Sequence, residues 1–250
     1  MMSIILGGVI LLLIYFCCMV AVLQLKGDTS IGNFTWGGGV LLVTLYTFLT
    51  LSSFATRQIV VTVMVIAWAS RLIMHVYKRY TGTDPRFIGW HAQGLHALIV
   101  NTVWVFGQTI MIAAMSYPIV LINLYGNNSL TIVDIIGVLM WVFGYCYEAI
   151  SDYQLVIFIR DPHNTGKVMQ TGLWYYSRHP NYLGEIIMWW GIYCMALSVH
   201  LGFTAIIAPM TIMLMLICIT GIPLLEKAMA TNAQYQEYKR TTPTLIPWSK

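Results

Sequence analysis

Charge-free runs, each close to the length of one bilayer crossing, set the pattern of this chain. No charged residue occurs from Met1 to Leu25. A spanning helix takes roughly 20 apolar residues, because bilayer hydrocarbon offers no water to backbone N–H and C=O groups. A first span is therefore predicted at about Ser3–Leu25. It reads as a retained anchor, since it lacks the basic start and short apolar core of a cleaved leader. Two further spans are predicted at about Gly38–Ala55 and Ile59–Tyr77, the turn between them carrying Arg57. Between Phe87 and Val133 there is again no Asp, Glu, Lys or Arg. That stretch holds a fourth span near Leu98–Leu124, with Pro118 as a point of bending, and then a polar turn from Tyr125 to Ser129. A fifth span is predicted from about Leu130 to Ala149, with scope to continue as helix beyond the membrane. The charge-free run Ile186–Leu225 fits two helices joined by a tight turn around Ser198–Gly202. The expected fold is all-α, a polytopic membrane helix bundle of about seven spans. Six or eight are the alternatives, because long helices tilt or break.

Composition narrows the function classes. Of 250 residues, 58% are hydrophobic and 9% charged, against about 25% charge in a soluble domain. A free cytosolic enzyme, a disordered chain and a nucleic-acid binder are excluded on this ground. The net charge of +4, from 13 basic and 9 acidic residues, is informative in its placement. With seven spans, Lys26, Lys78, Arg79, Arg86, Arg160, Lys167, Arg178, Lys227, Lys239, Arg240 and Lys250 fall on one side. Arg57 falls on the other, and Arg71 lies within a span. The positive-inside tendency then predicts an outside N-terminus and a cytoplasmic C-terminus. Cys17, Cys18, Cys146, Cys194 and Cys218 all sit in apolar stretches without metal-type spacing, and read as small hydrophobes. His75, His91, His96 and His200 show no ligand spacing, so no metal is expected. Most tryptophans and tyrosines suit the membrane interface, and Gly37-Gly38-Gly39 suits close helix approach.

Ionisable groups at membrane depth are costly and invite a functional reading. Arg71, six residues before the end of the third span, either snorkels to the interface or binds a ligand. Asp134 begins the fifth helix, where a carboxylate complements the helix dipole. Glu148 and Asp152 are four apart, hence on one helix face, and like charges so placed need cations or donors between them. Closing ion pairs are the alternative for these two. Glu185 starts the sixth span within the densest polar cluster of the chain, Ser177-Arg178-His179-Pro180-Asn181-Tyr182-Leu183-Gly184-Glu185. Pro180 suits a first helical position, capped by Ser177 or His179. The free N–H groups of that helix start, with Arg178 and His179, form a natural anion site. Asn181, Glu185 and Trp189 recur every four residues along one stripe. Phosphate at the mouth with amide and ring contacts deeper in is the layout a nucleotide cofactor requires.

These residues carry a resemblance. Thr171-Gly172-Leu173-Trp174 followed by the Ser177–Glu185 cluster resembles the signature of membrane reductases related to steroid 5-alpha-reductase, and most closely the DUF1295 membrane proteins of that superfamily. The likeness extends through Glu148–Gln154, to Tyr235, Tyr238 and Leu245-Ile246-Pro247, and touches Asp84-Pro85-Arg86 and the Ser30–Gly37 stretch. It implies a seven-helix enzyme, similar to an NADPH-dependent 3-oxo-5-alpha-steroid 4-dehydrogenase. Such an enzyme reduces the activated C=C bond of a steroid-like or other lipidic enone that enters from the bilayer. Residues 1–250 would form one integral membrane domain, with 1–125 as substrate-side helices and 130–250 as the cofactor-binding half. Its home would be a bacterial inner membrane or an endoplasmic-reticulum-type membrane, with the active site facing the cytoplasm.

Carried over by position, Asp152, Asn181, Glu185 and Trp189 match cofactor contacts, and Arg86, Arg178, His179 and Tyr238 match further motif positions. Arg160, Lys167 and Arg240 are basic candidates for the phosphates, chosen by charge and side. The steroid enzymes carry a Gln-Glu pair in the second span and a tyrosine in the third; here the second span has no acid and Trp68 aligns with the tyrosine. Glu148 and Tyr182 are then the candidate proton donors. A rival reading is an S-adenosylmethionine-dependent methyltransferase of the isoprenylcysteine carboxyl or phospholipid type. That group shares an Arg-His-Pro-x-Tyr-x-Gly segment, and Glu226, Tyr235, Tyr238 and Pro247 would take part. A third reading makes the polar cluster an interhelical network of a non-catalytic scaffold or transporter.

Overall fold

A computed structural model describes residues 2–26, 31–32, 34–79 and 94–247, and among these there is helix and no strand. The long helices follow the charge-free runs: α1 Met2–Lys26, α2 Phe34–Leu51, α3 Thr56–Arg79, α4 Gly94–Tyr125 and α5 Ile132–Arg160. Shorter ones come after: α6 Leu173–Tyr176, α7 Pro180–Ala196, α8 Ile207–Leu214, α9 Ile222–Ala228 and α10 Ala233–Thr241. Six segments among the described residues are long and apolar enough to cross a bilayer, one in each of α1 to α5 and Gly202–Ala228. The predicted sixth span is α7, whose 17 residues reach about 26 Å at ~1.5 Å per residue, the lower bound for a crossing. The protein is a multi-pass helical bundle.

The fifth predicted span extends past the bilayer as its sequence allowed, and the last differs from a continuous helix. The fifth continues as one helix of 29 residues to Arg160, about 43 Å long against about 30 Å of hydrocarbon. The last is not continuous. A 3₁₀ turn at Gly202–Ile206 leads into α8, a π turn follows at Met215–Ile219, and the chain leaves helical geometry at Gly221 before α9. The N–H groups of Thr220 and Gly221 both reach the Met215 carbonyl, at 2.9 and 3.2 Å, and Pro223 restarts the helix in its first turn. The predicted tight turn after α7 is present. Leu201 there adopts φ 59°, and a Cβ on Gly202 would strike the Ala196 carbonyl.

The chain packs as two compact units, Met1–Ile135 with Tyr193–Thr211 and Ile136–Ile192 with Ile212–Lys250. In the first, α2 packs on α3 and α4 around Val40, Val61, Val65, Ile112, Met115 and Ile119, each at most 0% exposed. The glycines of α2 permit the approach: a Cβ on Gly37 would lie 3.3 Å from the Ala69 carbonyl oxygen, and one on Gly39 2.8 Å from Ile112 Cδ1. One end of this unit is closed by a buried ion pair between the start of α3 and the start of α5. Arg57 Nε donates to Asp134 Oδ1 at 2.9 Å and Nη2 to Oδ2 at 2.8 Å, with both side chains at most 2% exposed. Two further guanidinium N–H groups reach Asn127 Oδ1 at 3.0 Å and the Ser129 carbonyl at 2.7 Å. Thr131 and Asp134 exchange hydrogen bonds as a capping box: Thr131 N donates to Oδ2 at 2.7 Å and Thr131 Oγ1 accepts from Asp134 N at 3.3 Å. Asp134 thus does more than complement a dipole, and Arg57 is not a solvated turn charge.

In the second unit α5 and α7 meet along glycines spaced seven apart on each helix. A Cβ on Gly184 would lie 2.7 Å from the Gly144 carbonyl oxygen and 2.6 Å from Glu148 N, and one on Gly191 2.5 Å from the Gly137 carbonyl oxygen. Backbone touches backbone, which only glycine allows.

Two sets of variants check these contacts by denaturation in detergent. Arg57→Ala leaves a buried carboxylate uncompensated and is expected to cost about 3–5 kcal/mol, with part of the loss recovered in Arg57→Ala/Asp134→Leu. Gly191→Ala is expected to destabilise by more than the ~1–3 kcal/mol of ordinary overpacking, since backbone cannot yield. Gly107→Ala on α4, where an added Cβ meets nothing within 4 Å, should be neutral or gain up to ~1 kcal/mol.

Candidate cofactor-binding site

The glycine seam brings the end of α5 that holds Glu148 and Asp152 against the first turn of α7. Glu148 is 4% and Asp152 8% exposed, and Ser151 Oγ between them donates to the Glu148 carbonyl at 2.8 Å. Asn181, Glu185 and Trp189 then rise one turn apart along α7, the first two partly buried and Trp189 1% exposed. Asn181 Oδ1 is buried and has no hydrogen-bond partner among the described residues. An acceptor in that state is a cost unless some other donor reaches it.

The segment before α7 is held by local bonds that the sequence makes possible. Gly172 takes φ 63°, and any side chain there would meet Gln154. Gln154 Oε1 in turn accepts from Leu173 N at 2.9 Å. Trp174 Nε1 donates to the Ser151 carbonyl at 3.0 Å, tying α6 to α5. Ser177 Oγ accepts from His179 N at 3.2 Å, so of the two predicted caps Ser177 supplies the oxygen, while Pro180 opens the helix.

The side chains flanking this helix start form a charge cluster, buried at Arg178 and His179 and open to the surface at Lys239. Arg178 Nη1 lies 2.7 Å from Glu226 Oε1, Lys239 Nζ 2.6 Å from Glu226 Oε2 and His179 Nε2 3.8 Å from Glu226 Oε1. Arg178 is also held by Thr244 Oγ1 at 2.6 Å and, through its backbone N–H, by the Pro243 carbonyl at 3.0 Å. The Arg178 guanidinium thus faces a carboxylate of its own chain. Glu226 and Lys239 are the charged neighbours that the reductase reading passed over. The signal for Glu226 is its position as the first charge after forty uncharged residues. The His179 ring stacks on Tyr182 with centroids 5.4 Å apart and planes 6° apart.

From α10, Tyr238 hydroxyl donates to the Trp174 carbonyl and to the Ser177 carbonyl, the latter at 3.1 Å. Tyr235 packs with Tyr238 and Val168. Burial pushes the Tyr235 hydroxyl up to about 12, with the nearby Glu226 charge adding to it, and pushes Tyr238 higher still. Burial likewise drives His179 down to about 4, against the pull of Glu226 and with help from Arg178.

Other expected residues lie elsewhere. Arg240 is 79% exposed and pairs with Glu237 at 3.4 Å, Arg160 and Lys167 are exposed, and none of the three joins the buried cluster. Arg86 and the Asp84-Pro85 positions beside it lie outside the described residues.

Long apolar helices with a buried polar cluster at the start of α7 define a multi-pass membrane protein with a built polar site. The chain belongs to the DUF1295 family, described as a protein family of unknown function, whose model matches residues 19–242. No curated protein and no solved structure matches it.

The neutral imidazole of His179 gives a pH signature. Its folded-state value near 4 lies below the ~6.5 of an exposed histidine, so the unfolded chain binds the extra proton first. Stability from this group is complete above about pH 6.5 and is lost as pH falls toward 4. Melting temperatures between pH 7 and pH 5 should fall less steeply for His179→Gln than for the parent protein.

Proposed function

We propose that this protein is an NADPH-dependent membrane oxidoreductase that reduces the activated C=C bond of a lipidic enone. The observation that carries the reading is Asn181 Oδ1, a buried acceptor without a partner among the described residues, one turn from Glu185 and two from Trp189. A carboxamide or amino group of a dinucleotide supplies the kind of donor such an oxygen accepts. Asn181, Glu185, Asp152 and Trp189 would hold the cofactor, with His179 and Tyr238 shaping the helix start. When bound, NADPH supplies a hydride for the β-carbon of the enone.

The chain's own tasks are to orient the substrate, exclude water and manage one proton. Glu148 or Tyr182 would hold that proton for the enolate oxygen of the substrate. Glu148 is buried and Tyr182 half-buried in a largely apolar bundle, which suits electrostatic stabilisation of the developing charge. The substrate class follows from the setting: a molecule that partitions into the bilayer reaches the site sideways between helices. The basic residue distribution supports a site facing the cytoplasm.

One observation favours a second reading. Arg178, Glu226, Tyr235 and Tyr238, the residues shared with S-adenosylmethionine-dependent membrane methyltransferases, are gathered in one buried cluster.

Ligand-induced stabilisation separates the two. A ligand that binds only the native state raises the melting point, by about 2.7 kcal/mol of stability at a hundredfold excess over Kd. NADPH is expected to shift the melting point of the detergent-solubilised protein and S-adenosylmethionine is not. Asn181→Ala and Glu185→Ala should each abolish the NADPH shift while leaving the ligand-free melting point within a few degrees. Full retention of the shift in both variants overturns the assignment.

A further inference from the structure

The end of α5 beyond the bilayer carries a second feature, on a different face from Glu148 and Asp152. Leu139, Phe143, Ile150, Tyr153 and Ile157 are each at least 50% exposed, and their three-and-four spacing keeps them on one stripe of the helix. Leu139 and Phe143 lie within the predicted crossing and Ile150 at its end, where exposed apolar side chains face lipid. Tyr153 and Ile157 lie past it. About 20 residues of helix cross the hydrocarbon, so a span starting at Ile132 leaves it near Ser151.

At that level the stripe does not end in water but runs into a groove of about 320 Å³, within the size of small-molecule pockets. Tyr153, Ile157, Phe158 and Met169 wall it, and Asn164 and Thr171 stand among its polar lining. The groove is built rather than incidental. Asn164 Nδ2 donates to the Phe158 carbonyl at 3.2 Å, Val168 N to Gln234 Oε1 at 2.9 Å and Leu173 N to Gln154 Oε1 at 2.9 Å. Asp161, also in the lining, turns its carboxylate to His163, accepting from His163 N at 2.9 Å. Arg160 and Lys167, both exposed, stand next to lining residues in the chain, and the Lys167 charge is felt at Asp161.

We infer that this groove holds one acyl chain of a bilayer phospholipid, led in along the α5 stripe, with the phosphate held by Arg160 and Lys167. Continuity with the lipid-facing stripe selects a bilayer lipid, and two cations flanking the outer part of the groove's lining select a phosphate. The site is separate from the cofactor reading and holds for either cofactor.

The test is photolabelling of the full chain in vesicles of phosphatidylethanolamine and phosphatidylglycerol. The probe is a small fraction of phosphatidylcholine bearing a diazirine in its acyl chain. Labelling of residues 153–172 is expected to exceed that of the Leu139–Phe143 face. Ile157→Trp and Met169→Trp, which fill the groove, should each lower it to the level of that face without moving the melting point. Arg160→Glu/Lys167→Glu should lower it as well. Equal labelling of the two faces overturns the site, and so does labelling unchanged in both tryptophan variants. A diazirine fatty acid that labels the groove as strongly as the phospholipid, at equal mole fraction, overturns the phosphate anchor.

Discussion

Contact of bare backbone between α5 and α7 is the constraint on which the polar site depends. Gly144 faces Gly184 and Gly137 faces Gly191 so closely that an added methyl group would fall 2.5–2.7 Å from main-chain atoms. In a bilayer there is little hydrophobic gain in pressing two apolar helices together, so close packing and interhelical polar contact must supply the attraction. The seam supplies the first. Its effect at the end of α5 is to set Glu148 beside Gly184, which brings two acids and an amide within one polar region where side chains of ordinary size would have kept the helices apart.

Around that seam the charges are balanced locally. Glu226 meets Arg178, Lys239 and the His179 ring, and Tyr238 binds two carbonyls at the end of α6 and just beyond it. Desolvated charges survive when paired and hydrogen-bonded, and the Arg57–Asp134 pair obeys the same rule within the other unit. In both places a carboxylate late in the sequence neutralises an arginine far earlier in it, and each pair closes an otherwise costly helix end.

Much of the fold was legible because charge-free runs and bilayer thickness impose the same length. The runs Met1–Leu25 and Phe87–Val133 mapped onto α1 and α4, and Gly37 and Gly39 do allow the close approach their size suggested. The broken last span was not legible as a break, since Ile186–Leu225 carries no charge; Gly221 and Pro223 mark it, and either is common in membrane helices. The partner of Arg57 was hidden by a separation of 77 residues, and hydropathy carries no pairing information. In the candidate site the motif Ser177–Glu185 marked the segment at which the charge cluster gathers. It could not show that Arg178 faces Glu226, because that contact depends on how α9 leaves the π turn and brings its carboxylate back to α7.

That π turn carries a mechanical consequence. The seam between α5 and α7 has no side chains to change rotamer, so these two helices can only travel as a single stiff beam. Between α8 and α9 the natural point of bending is Met215–Gly221, where the ladder of helix bonds is already interrupted. Any movement of α9 away from α7 would bend the chain at this joint and part Glu226 from Arg178, while the backbone contact of Gly144 with Gly184 stays as it is.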